Sequence, residues 1–240
     1  MSNDLINVSI WRGGNDGEYQ TYQVPRLESQ TVLDVVTYIQ RELDPSLSYR
    51  FACRVGVCGS CAMTVNGKAR WTCRTHVSKV AEGGQLTLDP LNSMPRVKDL
   101  VVDMETFFNK WADAKGSFKG DKTRDDALAY ISPDDPKRKI SSAGIECIGC
   151  GACYATCDVI KWNPDYLGPA ALNRAWTLVN DERDVTGLER LAAVAGDNGC
   201  LGCHSQQGCV ERCPKSLNPT GAIAGLKRET IKAVLKGELS

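Results

Sequence analysis

The chain has 240 residues, enough for one large or two modest domains, and its 29 basic and 29 acidic side chains cancel. That balance excludes the electrostatic footprint of a nucleic-acid binder or of a protein held to an anionic membrane surface. No apolar run approaches bilayer length, and the start Met1-Ser2-Asn3-Asp4-Leu5 is polar rather than basic and apolar, so the chain is expected to be soluble by itself and to reach a membrane only through a partner.

Residues 5–12 alternate apolar and polar, the period of a half-buried strand, and Tyr19 to Val24 reads as its return strand across the turn cluster Gly13–Gly17. Thr31-Val32-Leu33-Asp34 is an N-cap with an acidic residue at its third position. It opens a helix to Leu43 with Val32, Val35, Val36, Ile39 and Leu43 on one face. Met63 to Ala69 forms a hairpin around Asn66-Gly67, and Gln85 to Leu88 is a further short strand. Val97 to about Asp113 has helical period. Residues 114–140, rich in Lys, Asp, Gly, Ser and Pro, read as a long connection with little core. Helices are expected over Pro169–Val179, Thr186–Ala195 and Pro219–Leu235, the last with Ile223, Leu226, Ile231 and Val234 at helical spacing. The domain boundary falls near residue 105, giving domains over 1–105 and 106–240.

Twelve cysteines fall in three blocks. Disulfides are a poor explanation: there is no export signal, the chain is not small and the cysteines are close-set. Zinc takes four ligands from two separated knuckles, whereas a run-on CxxCxxCxxxC suits wrapping a cubane. The first block, Cys53-x4-Cys58-x2-Cys61 followed by Cys73, has the plant-type [2Fe–2S] spacing. Gly56 and Gly59 let its backbone approach the sulfides closely and take positive φ, and the loop amides can hydrogen-bond to sulfur. The fold class expected is α+β: an N-terminal β-grasp plant-type ferredoxin domain followed by an all-α bacterial-type (dicluster) ferredoxin domain.

The second block, Cys147-x2-Cys150-x2-Cys153-x3-Cys157, is the bacterial ferredoxin run. The third, in the same register, is Cys203-x2-Gln206-x2-Cys209-x3-Cys213-Pro214, with Gln206 in place of the second cysteine. In two-cluster ferredoxins the fourth cysteine of each run ligates the other cluster. Cys147, Cys150 and Cys153 then take Cys213 and hold a [4Fe–4S] cluster. Cys203 and Cys209 take Cys157 and hold a [3Fe–4S] cluster, because an amide is a poor ligand for the fourth iron. Two readings of Cys200 stand: a fourth thiolate for the third site, or a buried cysteine packed as a small apolar residue. Asp158 departs from the proline that usually follows a fourth cysteine.

Over essentially its whole length the chain resembles the iron–sulfur subunits of succinate dehydrogenases and quinol:fumarate reductases. The resemblance is carried by Cys53-Arg-Val-Gly-Val-Cys-Gly-Ser-Cys61, Asp89-Pro-Leu, Val97-Lys-Asp-Leu-Val-Val-Asp103, the 147–157 run, Trp162-Asn-Pro164 and Cys203-His204-Ser through Cys213-Pro-Lys-Ser-Leu-Asn-Pro219. It implies three cofactors, a [2Fe–2S], a [4Fe–4S] and a [3Fe–4S] cluster, and passage of electrons between an FAD-containing flavoprotein subunit and a membrane quinone. It also implies a membrane anchor subunit as partner and a peripheral place on the cytoplasmic face of the plasma membrane. By the same resemblance Trp162, His204 and Pro164, with Ile160 less firmly, line a quinone pocket. Trp162 is either an indole donor to a quinone oxygen or a rigid core residue, and His204 either a proton relay or a structural histidine. His76 reads as a surface residue. Arg54 is either a positive charge near the first cluster or a salt-bridge partner to the flavoprotein. No phosphate loop or nucleophile motif is present, so dicarboxylate chemistry is expected on another subunit. A related flavin dehydrogenase complex and a free-standing ferredoxin-like carrier are the alternatives.

Overall fold

The alternation at the N-terminus forms β1 (Leu5–Arg12), which buries Ile6, Val8 and Ile10 on one face. β2 (Glu18–Pro25) pairs antiparallel with it, from Leu5↔Pro25 to Arg12↔Glu18. The computed structural model describes residues 4–239, so Met1, Ser2 and Asn3 of the polar start, and Ser240, lie outside the described residues. α1 (Val32–Tyr38) begins in the expected capping box: the Asp34 amide donates to Thr31 Oγ1 at 3.2 Å, and the Thr31 amide to Asp34 Oδ2 at 2.9 Å. β3 (Ala62–Val65) and β4 (Lys68–Trp71) make the hairpin, with Asn66 and Gly67 at φ 48° and 72°, the left-handed pair such a two-residue turn needs. β5 (Gln85–Asp89) runs parallel to β1 and antiparallel to β3, so the mixed sheet has the order β2-β1-β5-β3-β4. Val32, Val35, Val36 and Ile39 are buried in the same core as Ile6, Val8, Val65, Leu86 and Leu88.

Two expectations for this region fail. Leu43 is 45% exposed rather than on the core face. Residues Ile39–Leu43 continue α1 as a π-turn, closed by the Asp44 amide on the Ile39 carbonyl at 2.7 Å, and the extra residue rotates Leu43 outward. Val97 to Met104 is not helical. β6 (Arg96–Lys98) and β7 (Val101–Val102) pair antiparallel there, and the helix starts only at Glu105. β-branched Val97, Val101 and Val102 favour strand. Asp99 at φ 51° turns the chain so that its carboxylate accepts the amides of Gly13 and Ser48, both at 2.7 Å. Arg12 Nε stands 3.2 Å from Asp99, and the same guanidinium also pairs with Asp44.

Helices follow in chain order as α2 (Glu105–Asp113), α3 (Pro136–Gly144), α4 (Ala152–Ala155), α5 (Asp158–Trp162), α6 (Pro169–Val179), α7 (Gly187–Val194), α8 (Gly208–Glu211) and α9 (Pro219–Leu235). The residues up to Met104 together with Ile148–Thr156, which include α4, form one compact unit; Glu105–Cys147 and the residues from Cys157 onward form the second. In the second unit, α6 and α9 lie so close that a Cβ on Gly225 would sit 2.5 Å from the Trp176 ring. Prolines at the first turns of α3, α6 and α9 cost those helices no hydrogen bond. On α9, Ile223 and Leu226 are buried but Ile231 and Val234 are half exposed; Thr230 and Ala233 take the core positions instead. Residues 117–130 are exposed throughout, as their composition implies, but α3 rises from the end of the expected connection, capped by Asp135 on the Arg138 amide at 2.9 Å.

Asp99 is 1% exposed and holds Arg12 and two backbone amides, from β1's end and from residue 48. Asp99→Ala is therefore expected to cost about 3 kcal/mol, the scale of breaking a buried ion pair and stranding its donors. Thermal unfolding by circular dichroism would read this as a lower Tm, while Asp16→Ala on the exposed turn leaves Tm unchanged.

Candidate metal centres

The loop between α1 and β3 carries Cys53, Cys58 and Cys61, and Cys73 follows β4 in the short turn Thr72–Arg74. Within the first unit the four thiols converge. The amides of Val57 and Cys58 each donate to Cys53 Sγ at 3.3 Å, and the Cys53 amide donates to Cys58 Sγ at 3.5 Å. Cys61 and Cys73 are buried together with Leu33 against Tyr49 and Trp71. The Thr72 hydroxyl donates to the Cys61 carbonyl at 2.8 Å and holds the two ligand segments in register. Gly56 takes φ 75°, and a Cβ there would stand 2.6 Å from the Trp71 ring, so only glycine lets the loop close. Arg54, also at positive φ, places its guanidinium 4.8 Å above the Phe51 ring, which gives it an aromatic partner within this unit. Val55 and Val57 stand exposed on the same loop.

The amide hydrogens of Val57, Cys58 and Val55 pull the Cys53 thiol down to about 6. Burial, then the neighbouring Cys61 sulfur, pushes Cys73 up to about 11. A bound iron relieves this tension, since it takes the place of the proton on a thiol whose free anion is disfavoured. Among the described residues, no three His, Cys, Asp or Glu side chains close around a point that would suit one metal ion. Thiolates on different irons of a cluster stand further apart than ligands of a single ion. Four soft donors, amides aimed at sulfur and a glycine-lined approach fit a [2Fe–2S] group.

In the second run, Cys150 and Cys153 belong to the first unit, and Cys147 and Cys213 to the second. In the first unit, Gly59 at φ 74° lets the first cysteine loop lie against Cys150: a Cβ would be 2.7 Å from the Ile148 carbonyl and 2.9 Å from Cys150 Cα. Gly151, the N-cap of α4 at φ 76°, leaves room for Met94, whose Cε would lie 2.8 Å from an added Cβ. In the second unit, the Lys215–Glu146 ion pair at 3.0 Å brings together the segments flanking Cys213 and Cys147, and the Leu217 amide donates to Cys213 Sγ at 3.4 Å.

The third set lies wholly in the second unit. Burial raises the thiols of Cys157 and Cys209, and Cys157, Cys203 and Cys209 lie within one another's electrostatic reach. The Ser205 amide donates to Cys203 Sγ at 3.4 Å, and Cys209 Sγ shares a 3.4 Å hydrogen bond with the Thr220 hydroxyl. Gln206 is exposed, in a loop that Ser205 and Gln207 turn with φ 57° and 63°. Cys200 is fully buried, its thiol raised by burial and set beside the Thr230 hydroxyl and Lys227. Trp162 is 58% exposed, and its ring meets His204 edge-on at 6.0 Å; the rigid-core reading of Trp162 is therefore wrong, because the end of α5 turns it outward. Ile160 is buried, Pro164 is exposed and His76 is half-buried, its backbone bridged to Thr31.

Three residues of this neighbourhood escaped the sequence reading. Lys227 Nζ donates to the Cys203 carbonyl at 2.9 Å. Lys110, 6% exposed on α2, donates to the carbonyls of Pro164 and Tyr166. Tyr166 is buried; burial first, then the thiols of Cys203, Cys157 and Cys209, raises its phenol above its ordinary range. A signal for Lys110 was present: Phe107, Lys110 and Ala114 are all buried at helical spacing, so a lysine occupies a core position.

The chain matches the family model of a 2Fe-2S iron-sulfur cluster binding domain over residues 7–109 and that of a 4Fe-4S dicluster domain over residues 146–218. It is 35% identical to the fumarate reductase iron-sulfur subunit of Haemophilus influenzae, over 95% of this chain and 94% of that one. It is 38% identical to the mitochondrial succinate dehydrogenase [ubiquinone] iron-sulfur subunit 1 of Oryza sativa subsp. japonica, over 84% of this chain and 72% of that one. Its fold superposes on a chain of the Mycobacterium smegmatis Sdh1 complex with a TM-score of 0.84, at 26% identity and covering 95% and 96% of the two chains. With cysteine loops built to present thiols to iron and relatives of this kind along nearly its full length, the chain belongs to the family of iron–sulfur subunits of succinate dehydrogenases and fumarate reductases.

Proposed function

We propose that this chain is the wire of a succinate:quinone or quinol:fumarate oxidoreductase, carrying electrons between an FAD flavoprotein and a membrane quinone. The observation that carries the reading is the placement of thiols in three successive sets, each with its own backbone donors or buried neighbours. Cys53, Cys58, Cys61 and Cys73 would hold [2Fe–2S]; Cys147, Cys150, Cys153 and Cys213 would hold [4Fe–4S]; Cys157, Cys203 and Cys209 would hold [3Fe–4S]. When bound, such groups accept and release single electrons, which is what a two-electron flavin and a two-electron quinone need between them. Exposed Gln206, an amide where the run would place a thiolate, supports three rather than four thiolates at the last set, and the burial of Cys200 beside Thr230 supports its reading as a packed cysteine.

The residues divide the labour. The Val57 and Cys58 amides stabilise anionic sulfur at the first set, and exposed Val55 and Val57 give that loop an apolar rim suited to a flavoprotein surface. Exposed Trp162, with His204 against its edge, offers an indole N–H and an imidazole to a quinone, and Pro164 shapes the following turn. The sheet-bearing first domain, over 1–105, reads as a β-grasp; the helical second, over 106–240, reads as a dicluster ferredoxin domain. No helix among the described residues is long and apolar enough to cross a membrane. We place the chain peripherally on the cytoplasmic face, held by an anchor subunit.

Iron and acid-labile sulfide per chain, with low-temperature EPR of oxidised and reduced samples, test the assignment. About nine irons with an oxidised-state [3Fe–4S] signal are expected; ten irons without that signal would mean that Cys200 completes a second [4Fe–4S] cluster. Gln206→Cys should convert the third site towards [4Fe–4S] and lower its potential, and an unchanged spectrum would show the register to be wrong. Trp162→Leu should slow quinone reduction by roughly an order of magnitude, the scale of one lost hydrogen bond, while sparing an artificial acceptor that bypasses the pocket. Equal loss of both activities would leave Trp162 a structural residue.

A further inference from the structure

We propose that Lys110 and Tyr166 are positioning residues that raise the reduction potential of the third cluster. The proposal rests on the assignment of Cys157, Cys203 and Cys209 to that cluster. It goes beyond that assignment by naming the groups that tune it.

Lys110 enters the second unit from α2 on the buried face that also carries Phe107. Its ammonium donates to the Pro164 carbonyl and, at 2.7 Å, to the Tyr166 carbonyl. It thereby pins the turn between Trp162 on α5 and the start of α6. A buried ammonium costs several kcal/mol unless polar partners and negative charge offset it. Carbonyl dipoles supply part of that. Asp165 first, then the thiol of Cys157 and Asp113, lie in its field.

Tyr166 continues the arrangement from the same turn. It is 1% exposed, and its ring lies against Gly202: a Cβ on that glycine would be 3.2 Å from Tyr166 Cδ2. Gly202 immediately precedes Cys203, and Lys227 and the Ser205 amide fix the far side of the same residue. The phenol lies beside Cys203 in a protein interior, where its dipole acts without competition from water.

Both groups act in one direction. Adding an electron to a cluster held by three thiolates adds negative charge to a site that is already anionic. A buried cation and a phenol dipole beside the sulfur each stabilise the more negative, reduced form, so each raises the potential. Two carbonyls gripped by one lysine also set where the phenol sits, so the cation and the phenol operate as a pair.

The test is an EPR-monitored redox titration of the assembled complex carrying Lys110→Met, Lys110→Arg or Tyr166→Phe. Lys110→Met keeps most of the apolar stem and removes the charge. At the unaltered chain's midpoint it should shift the oxidised-to-reduced ratio of the [3Fe–4S] signal from one to about ten, a fall of about 59 mV for one electron. Lys110→Arg should retain the original midpoint, Tyr166→Phe should shift it downward by less, and the [2Fe–2S] midpoint should stay fixed in all three. A Lys110→Met complex with nine irons and an unmoved midpoint would overturn the proposal. If that variant fails to assemble, Tyr166→Phe decides, and an unmoved midpoint there overturns it equally. An unaltered chain with no [3Fe–4S] signal would instead overturn the ligand assignment beneath it.

Discussion

Anionic sulfur needs backbone amide hydrogens aimed at it, and an amide already spent in a helix or a sheet ladder cannot serve. This requirement decides where regular structure stops in the chain. The amides of Val57 and Cys58 turn inward onto Cys53, that of Ser205 onto Cys203 and that of Leu217 onto Cys213, all from irregular backbone. Such loops carry little stability of their own, so each is strung from a rigid element. Leu33 of α1 packs on Cys61 and Cys73, the β3–β4 hairpin sets the spacing between those two cysteines, and α8 and α9 frame Cys209 through Thr220. Positive φ at Gly56, Gly59 and Gly151 is the local cost of the tight approach, and added side-chain atoms there would strike Trp71, Cys150 and Met94.

The same donor chemistry sits in two different dielectric settings. Cys53 lies near the surface, and three amides suffice to pull its thiol to about 6. Cys157 is part-buried and Cys209 buried, and desolvation moves their thiols the other way, with neighbouring thiols adding to the effect. Desolvated thiolates need compensation beyond amides. The second unit therefore carries polar groups that have no counterpart in a plain helical core, including the Thr220 hydroxyl, the Tyr166 phenol and the Lys110 ammonium.

What the sequence disclosed divides along physical lines. Strand alternation in 5–12, the Thr31 capping box, the Asn66-Gly67 turn and the proline starts at 169 and 219 are local signals with local causes, and the corresponding elements form where they point. The cysteine blocks were legible because they are local along the chain, and the matching 2Fe-2S and 4Fe-4S domain models cover them. Failures came where a long-range contact overrode period. Val97 to Met104 reads as helix, but Asp99 reaches back to Gly13 and Ser48 and forces a hairpin. Ile231 and Val234 fit a helical face, but the face α9 buries is set by Trp176 against Gly225. Tyr166 was invisible for the same reason: its neighbour, Cys203, lies far along the chain.

Lys110 and Arg190 show how differently a buried cation can be used. Arg190 and Asp184 are both fully buried and 2.7 Å apart, and the Thr186 hydroxyl adds a further bond at 2.8 Å. The pair fixes α7 against the 184–186 turn, and Arg190 also acts on the neighbouring Arg174. Lys110 reaches two carbonyls, those of Pro164 and Tyr166. Asp165 first, then Cys157 and Asp113, interact with its charge. A buried cation stabilises whatever negative charge arrives nearby, and around Lys110 that charge includes the Asp165 carboxylate as well as the Cys157 sulfur. Placement on α2, whose sequence lies more than forty residues before Cys157, makes this helix part of the electron path's electrostatics even though it carries no ligand.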